Sequence, residues 1–122
     1  MKISVCIDAV YRGKNFVEAM TEVNSAGGSA FEFWSWWDKD LDSIRKAQEK
    51  QGMSAVALCT RFISLVDASK RGEYLQGLEE TIAVARSLGC KTIISQVGDE
   101  LEIPRAEQWQ SLIEGLKACV PL

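Results

Sequence analysis

The stretch from Ala30 to Asp40, AFEFWSWWDKD, holds the residues best suited to chemistry: Glu32 between Phe31 and Phe33, then Trp34, Trp36 and Trp37. A carboxylate among aromatic side chains is costly to bury unless it is paired or hydrogen-bonded. Glu32 therefore either points into a pocket, where it would hold a hydroxyl of a small polyol, or is satisfied by a lysine, arginine or hydroxyl of a neighbouring strand. The tryptophans suit an apolar wall or lid over such a polyol, and Trp34 is placed best because it continues the strand. Their competing role is packing between strand and helix layers, with one ring at a subunit contact.

Asp8, Thr60, Arg61 and Gln96 fall at the C-terminal ends of predicted strands, where parallel α/β barrels place their chemistry. Asp8 can hydrogen-bond its own loop or a ligand. Arg61 can meet a carboxylate or phosphate through its planar fork, or serve as an ordinary surface arginine. Asp99, Glu100 and Glu102 make a small acidic loop that is solvated unless a metal draws it together. The chain has no histidine, which removes the Ser-His and Cys-His pairings and the commonest general base. Its cysteines, at 6, 59, 90 and 119, include no C-x-x-C pair. They read as buried, reduced thiols behaving as small hydrophobes.

The elements that must position these groups alternate. Ile3 to Ile7 reads as an apolar strand ending at Asp8. Asn15 caps a helix whose stripe is Phe16, Ala19, Met20 and Val23, and Gly27 and Gly28 end it. Phe31 to Trp34 is the second strand, since aromatics favour the pleated surface. Asp38 or Asp40 caps a helix from Leu41 to Lys50. Met53 to Thr60 is a third strand, and Arg61 to Gly72 an irregular segment packing back on the domain through Phe62, Ile63, Leu65 and Val66. A helix from about Gly72 to Leu88 presents Tyr74, Leu78, Ile82, Ala85 and Leu88 on one face. Lys91 to Val97 is the fourth strand. Pro104 opens a last helix running through Trp109, Leu112, Ile113 and Leu116, with Trp109 in the core.

A βα unit repeated four times implies a parallel sheet with right-handed crossovers. Two architectures fit: half of a (β/α)8 barrel, whose full form takes about 250 residues, or a small open parallel sheet of flavodoxin type. The 122 residues make a single domain. The segment IDAVYRGKNF lacks both the G-x-G-x-x-G spacing and a P-loop, which removes support from a nucleotide-binding open sheet. The net charge of −3 argues against a nucleic-acid partner, and no apolar run is long enough to span a membrane. Met1-Lys2-Ile3 leads straight into a strand without a basic, then apolar, leader, so the expected location is cytoplasmic.

The segments MKISVCIDAVYRG, AFEFWSWWDKDLDSI, RFISLVD and LEETIAVARSLGCKTIISQVG resemble the N-terminal half of the xylose-isomerase-like TIM-barrel superfamily. Within it the chain is most similar to the hydroxypyruvate isomerase and sugar phosphate isomerase/epimerase group. The resemblance implies an aldose–ketose type isomerase or epimerase acting on a small hydroxy-carbonyl compound or sugar, with a divalent metal. It also implies that the metal ligands and the glutamate pair of that family come from later strands, so no residue here inherits them.

What carries over is the N-terminal wall of the pocket, for which Glu32, Trp34, Arg61 and Gln96 are the substrate-binding candidates. Such a chain is expected to be inactive alone and to pair as a homodimer that completes the barrel. The alternative is a non-enzymatic half-barrel or small-ligand-binding domain.

Overall fold

Helices cover only one face of the sheet, and this decides between the two architectures. The computed structural model describes residues 3–122; the reading of the leader at Met1 and Lys2 lies outside the described residues. Strands β1 (Val5–Cys6), β2 (Ala30–Phe33), β3 (Ser54–Cys59) and β4 (Ile93–Ile94) pair in parallel in the order β1-β2-β3-β4. A one-turn helix α1 (Ile7–Val10) and helix α2 (Phe16–Ser25) follow β1, and α3 (Leu41–Gln51) follows β2. A 3-10 turn (Ala68–Lys70) and α4 (Arg71–Ser87) follow β3, and α5 (Arg105–Cys119) follows β4.

Strand β2 shows how the two faces divide. Phe31 and Phe33 are buried, and both rings pack edge-on against Phe16 of α2, at 6.0 and 5.4 Å. They join Met20, Ile44, Leu58 and Ala85 in the core between sheet and helices. Ala30 and Glu32, on the alternate positions, turn to the other face. A doubly wound sheet would have helices on both faces; a barrel stave has them outside only.

Local chemistry sets most helix ends. The Asn15 side chain accepts from the Val17 and Glu18 N–H groups, and Asp40 from Ser43 N–H; both fill donors that a helix start leaves orphaned. Gly52 stops α3 in the left-handed conformation, φ +63°.

The expected strands at both ends of the sheet are too long. Beyond Cys6 the chain curls into α1, because the Trp34 N–H that would extend the ladder is taken by the Asp8 carboxylate. Past Ile94 the extended segment bonds the loop after β3 instead of a strand: Gln96 N–H donates to Thr60 Oγ1, and Leu65 and Val66 N–H donate to the Val97 carbonyl.

Two helix faces differ from the hydrophobic pattern. In α4 the buried side is Tyr74, Gly77, Thr81 and Ala85, with Leu78 and Ile82 only half-buried. In α5 Trp109 is 64 % exposed, not core, and Gln108, Ser111 and Gly115 face inward. Besides the Leu65 side chain under Gly115, α5 meets loop backbone, which polar side chains satisfy. The Gln108 carboxamide accepts from Leu101 N–H and donates to the Leu101 and Ile103 carbonyls, while Ser111 Oγ donates to the Leu65 carbonyl at 2.9 Å.

Candidate functional site

The C-terminal ends of the four parallel strands bring together Asp8, Trp34, Thr60 and Gln96, with Glu32 one position below the rim on the open face. Register places Cys6 beside Glu32 and Glu32 beside Ala57, with a shift in the β2–β3 pairing at Phe31/Glu32. Cys59, at the end of β3, is buried. Burial pushes its thiol up, against a hydrogen bond from Gln96 that favours the thiolate. Cys59 is thus an inert thiol in the floor of the site. All four cysteines are free; Cys59 and Cys90 are buried, and Cys6 and Cys119 half-buried.

Asp8 anchors the rim. Its Oδ2 accepts from Trp34 N–H at 2.6 Å, and its Oδ1 lies 3.1 Å from Lys39 Nζ. The Lys39 side chain is only 11 % exposed, donates to Ser35 Oγ at 2.9 Å, and lies over the Phe16 and Phe33 rings. Lys39 thus holds the loop after β2 against the loop after β1, a role that sequence spacing does not reveal. Nothing in the DKD triplet distinguishes this buried ammonium from a solvated one.

The candidate residues divide by location. Glu32 lies on the open face of β2, and Gln96 is exposed past β4 with its N–H bonded to Thr60 Oγ1. Trp34, 40 % exposed, stands on the rim and lines a groove of about 970 Å³ between α2 and α3 that also takes in Asp8, Tyr11, Arg12 and Lys39. Arg61 stands apart from them. Its guanidinium carbon lies 4.8 Å from the Trp36 ring centroid and 5.5 Å from that of Trp37, and its Nε donates to Glu80 at 2.9 Å. Gly77 of α4 leaves the room for this stack, since a Cβ there would meet Arg61 Cδ at 3.3 Å. Trp36 is buried, its Nε1–H donating to Thr81 Oγ1, while Trp37 packs edge-on against the exposed Phe62 at 5.1 Å.

A divalent metal finds no ligand set here. Among the described residues no group of three or more cysteine, aspartate or glutamate side chains is placed to hold an ion, and Asp99, Glu100 and Glu102 lie exposed on their loop.

A parallel, one-sided sheet with its polar groups at the C-terminal strand ends defines a (β/α)8-barrel half. The chain belongs to the xylose isomerase-like TIM barrel family, whose model matches residues 20–122. Among solved structures it is similar to an AP endonuclease, family 2, from Brucella melitensis (TM-score 0.88, 16% identity, 98% of this chain and 50% of that one). It is similar also to 3-keto-D-glucoside 4-epimerase from E. coli (0.74, 13%, 97% and 50%) and to an L-ribulose 3-epimerase (0.71, 21%, 98% and 45%). At these identities the likeness is one of fold. The chain spans about half the length of these structures, and no curated protein matches it in sequence.

Proposed function

We propose that this chain is the N-terminal pocket wall of an isomerase or epimerase acting on a small hydroxy-carbonyl compound or sugar, hydroxypyruvate being the simplest candidate. The observation that carries the reading is that Glu32 alternates away from the buried Phe31 and Phe33 onto the helix-free face of the sheet, with Cys6 and Ala57 beside it in register. A carboxylate there can accept from hydroxyls of a polyol, and the exposed Gln96 past β4 is the carboxamide proposed to donate to them. Reaction in such enzymes moves a proton between neighbouring carbons. This chain supplies binding and orientation for that step and is inactive alone. A cytoplasmic location suits such metabolism; no helix among the described residues is long and apolar enough to cross a membrane.

The test is a titration of the purified chain with hydroxypyruvate and with ketoses, followed by tryptophan fluorescence and by product analysis. Saturable quenching that Glu32→Gln weakens about tenfold, without turnover, is the expected result. Turnover by the chain alone would overturn the claim of inactivity. Absence of any binding would overturn the assignment of the wall. A second reading, a ligand-binding domain with no reaction, is favoured by the lack of histidine throughout the chain. It predicts the same binding, unchanged when barrel-completing segments are supplied.

A further inference from the structure

The groove of about 970 Å³ between α2 and α3 is distinct from the open-face pocket: neither Glu32 nor Gln96 lines it. Val17 and Thr21 of α2 form one wall, and Ser43, Lys46, Ala47 and Lys50 of α3 the other. Positions 43, 46, 47 and 50 recur at helical spacing, so α3 turns one continuous face to the groove. These walls come from consecutive units and do not depend on what continues the sheet beyond β1 or β4.

Charge in this part of the chain is partitioned. Of the cations between Tyr11 and Gly52, Lys14 is paired with Glu22, Lys39 with Asp8 and Asp38, and Arg45 with Asp42 and Glu49. The other three, Arg12, Lys46 and Lys50, have no ion-pair partner among the described residues, and all three line the groove. The carboxylates bordering it are already engaged. Asp8 and Asp38 hold Lys39, and Asp40 accepts from the N–H and the hydroxyl of Ser43, feeling Lys46 only at longer range. Positive charge is therefore in excess within a concave wall, where low-dielectric sides focus its field, although the net charge of the chain is −3.

We infer that this groove binds a phosphate monoester, its dianion held by Lys46, Lys50 and Arg12 and its carbon skeleton lying toward Trp34 and Tyr11. Lys46 and Lys50 stand one turn apart on α3, near enough for both ammonium groups to meet one anion. Two mobile ammonium donors and a guanidinium suit the several oxygens of a tetrahedral dianion better than the single plane of a carboxylate. The partly exposed Trp34 and half-buried Tyr11 give the other end an apolar border. A nucleic acid is a poorer occupant, since Asp38 and Asp40 border the groove and would repel a continued run of phosphates.

The test is a titration of the isotope-labelled 122-residue chain with glycerol phosphate at constant ionic strength, read by amide NMR shifts. Saturable shifts at Thr21, Lys46 and Lys50 are expected, with none from glycerol. Lys46→Gln with Lys50→Gln is expected to raise the Kd about tenfold, while Lys46→Arg with Lys50→Arg keeps it within about twofold. Both positions are exposed, and far-UV circular dichroism equal to wild type verifies that each variant folds. Arg86→Gln removes an exposed cation of α4 outside the groove and should leave the Kd unchanged.

Shifts that do not saturate, that chloride reproduces at equal ionic strength, or that the glutamine pair leaves unchanged would overturn the site. Shifts confined to Glu32 and Gln96 would put the phosphate in the open-face pocket, overturning the groove while the pocket reading stands. A failure of hydroxypyruvate or ketoses to bind would leave the groove untouched.

Discussion

Asp8 and Trp34 are joined across β1 and β2 by a 2.6 Å hydrogen bond from the Trp34 backbone N–H to the Asp8 carboxylate. A side chain thus does what the next rung of the ladder would have done, and the two loops that begin there are fixed relative to each other. With Lys39 on its other oxygen, Asp8 holds the rim tryptophan in place. Asp8→Ala should lower stability by about 2 kcal/mol, since it strips a charged acceptor from a backbone donor and leaves the nearly buried Lys39 ammonium with Asp38 and Ser35 alone. Asp8→Asn, which keeps an acceptor, should lose less. Urea denaturation of both variants measures the difference.

Thr81 links α4 to the aromatic loop. Its hydroxyl accepts from Trp36 Nε1–H at 3.2 Å and donates to the Gly77 carbonyl at 2.6 Å, in a site with no solvent exposure. Thr81→Val keeps the shape and removes the acceptor, leaving a buried indole N–H unsatisfied at a cost of about 1–3 kcal/mol. Thr81→Ser retains the oxygen and should cost less than Thr81→Val. Thermal melts of the pair separate hydrogen bonding from packing.

At Gly98, φ is +96°, and a Cβ would lie 2.3 Å from Ser64 Oγ and 2.9 Å from its Cα. Gly98→Ala therefore combines a left-handed strain with a collision against backbone, at a cost of about 1–3 kcal/mol. Because Leu65 and Val66 N–H both donate to the Val97 carbonyl, the effect should appear locally as well. Hydrogen exchange at those two amides is expected to accelerate more than exchange in β2.

Acid should destabilise the fold through identifiable carboxylates. Asp38 has its carboxyl held below the ordinary value: burial works upward, but hydrogen bonds from Ser35 and Lys39 outweigh it. Ser43 lowers Asp40 through its hydroxyl and then its N–H, Ser69 does the same for Asp67, and Gln110 and Arg71 lower Glu114. A carboxyl depressed in the folded state contributes stability that is complete above its unfolded pKa and lost as pH falls through the folded one. Denaturation midpoints should be level above about pH 5 and drop below about pH 4. Asp40→Asn should flatten part of that drop.

The order of elements was legible because each is marked locally: Asn15 and Asp40 accept backbone donors at helix starts, Gly52 and Gly89 follow helix ends, and β2 alternates phenylalanine with small or polar residues. What could not be read depends on partners distant in the chain. Strand β1 is cut short by its own following aspartate, and β4 spends its hydrogen bonds on the loop after β3. In helix α5 apolar spacing identifies a stripe but not what it faces; part of its inward side meets carbonyls and amides, which Gln108 and Ser111 satisfy, and Trp109 stays outside.

The site divides the same way. Glu32 follows from alternation with two phenylalanines, whereas the stack of Arg61 on Trp36 and Trp37, clasped by Glu80, joins residues from separate units. Lys39 shows the same limit, since its burial depends on Asp8, far away in sequence.

The strand order β1-β2-β3-β4 matches the order of synthesis. Every ladder joins a strand to the one made just before it, so no pairing waits for a distant segment to emerge. Loop closure for each new unit spans only its own helix, keeping the entropic cost of every step small and alike. The chain can therefore assemble progressively as it leaves the ribosome, each arriving strand templated by an edge already in place.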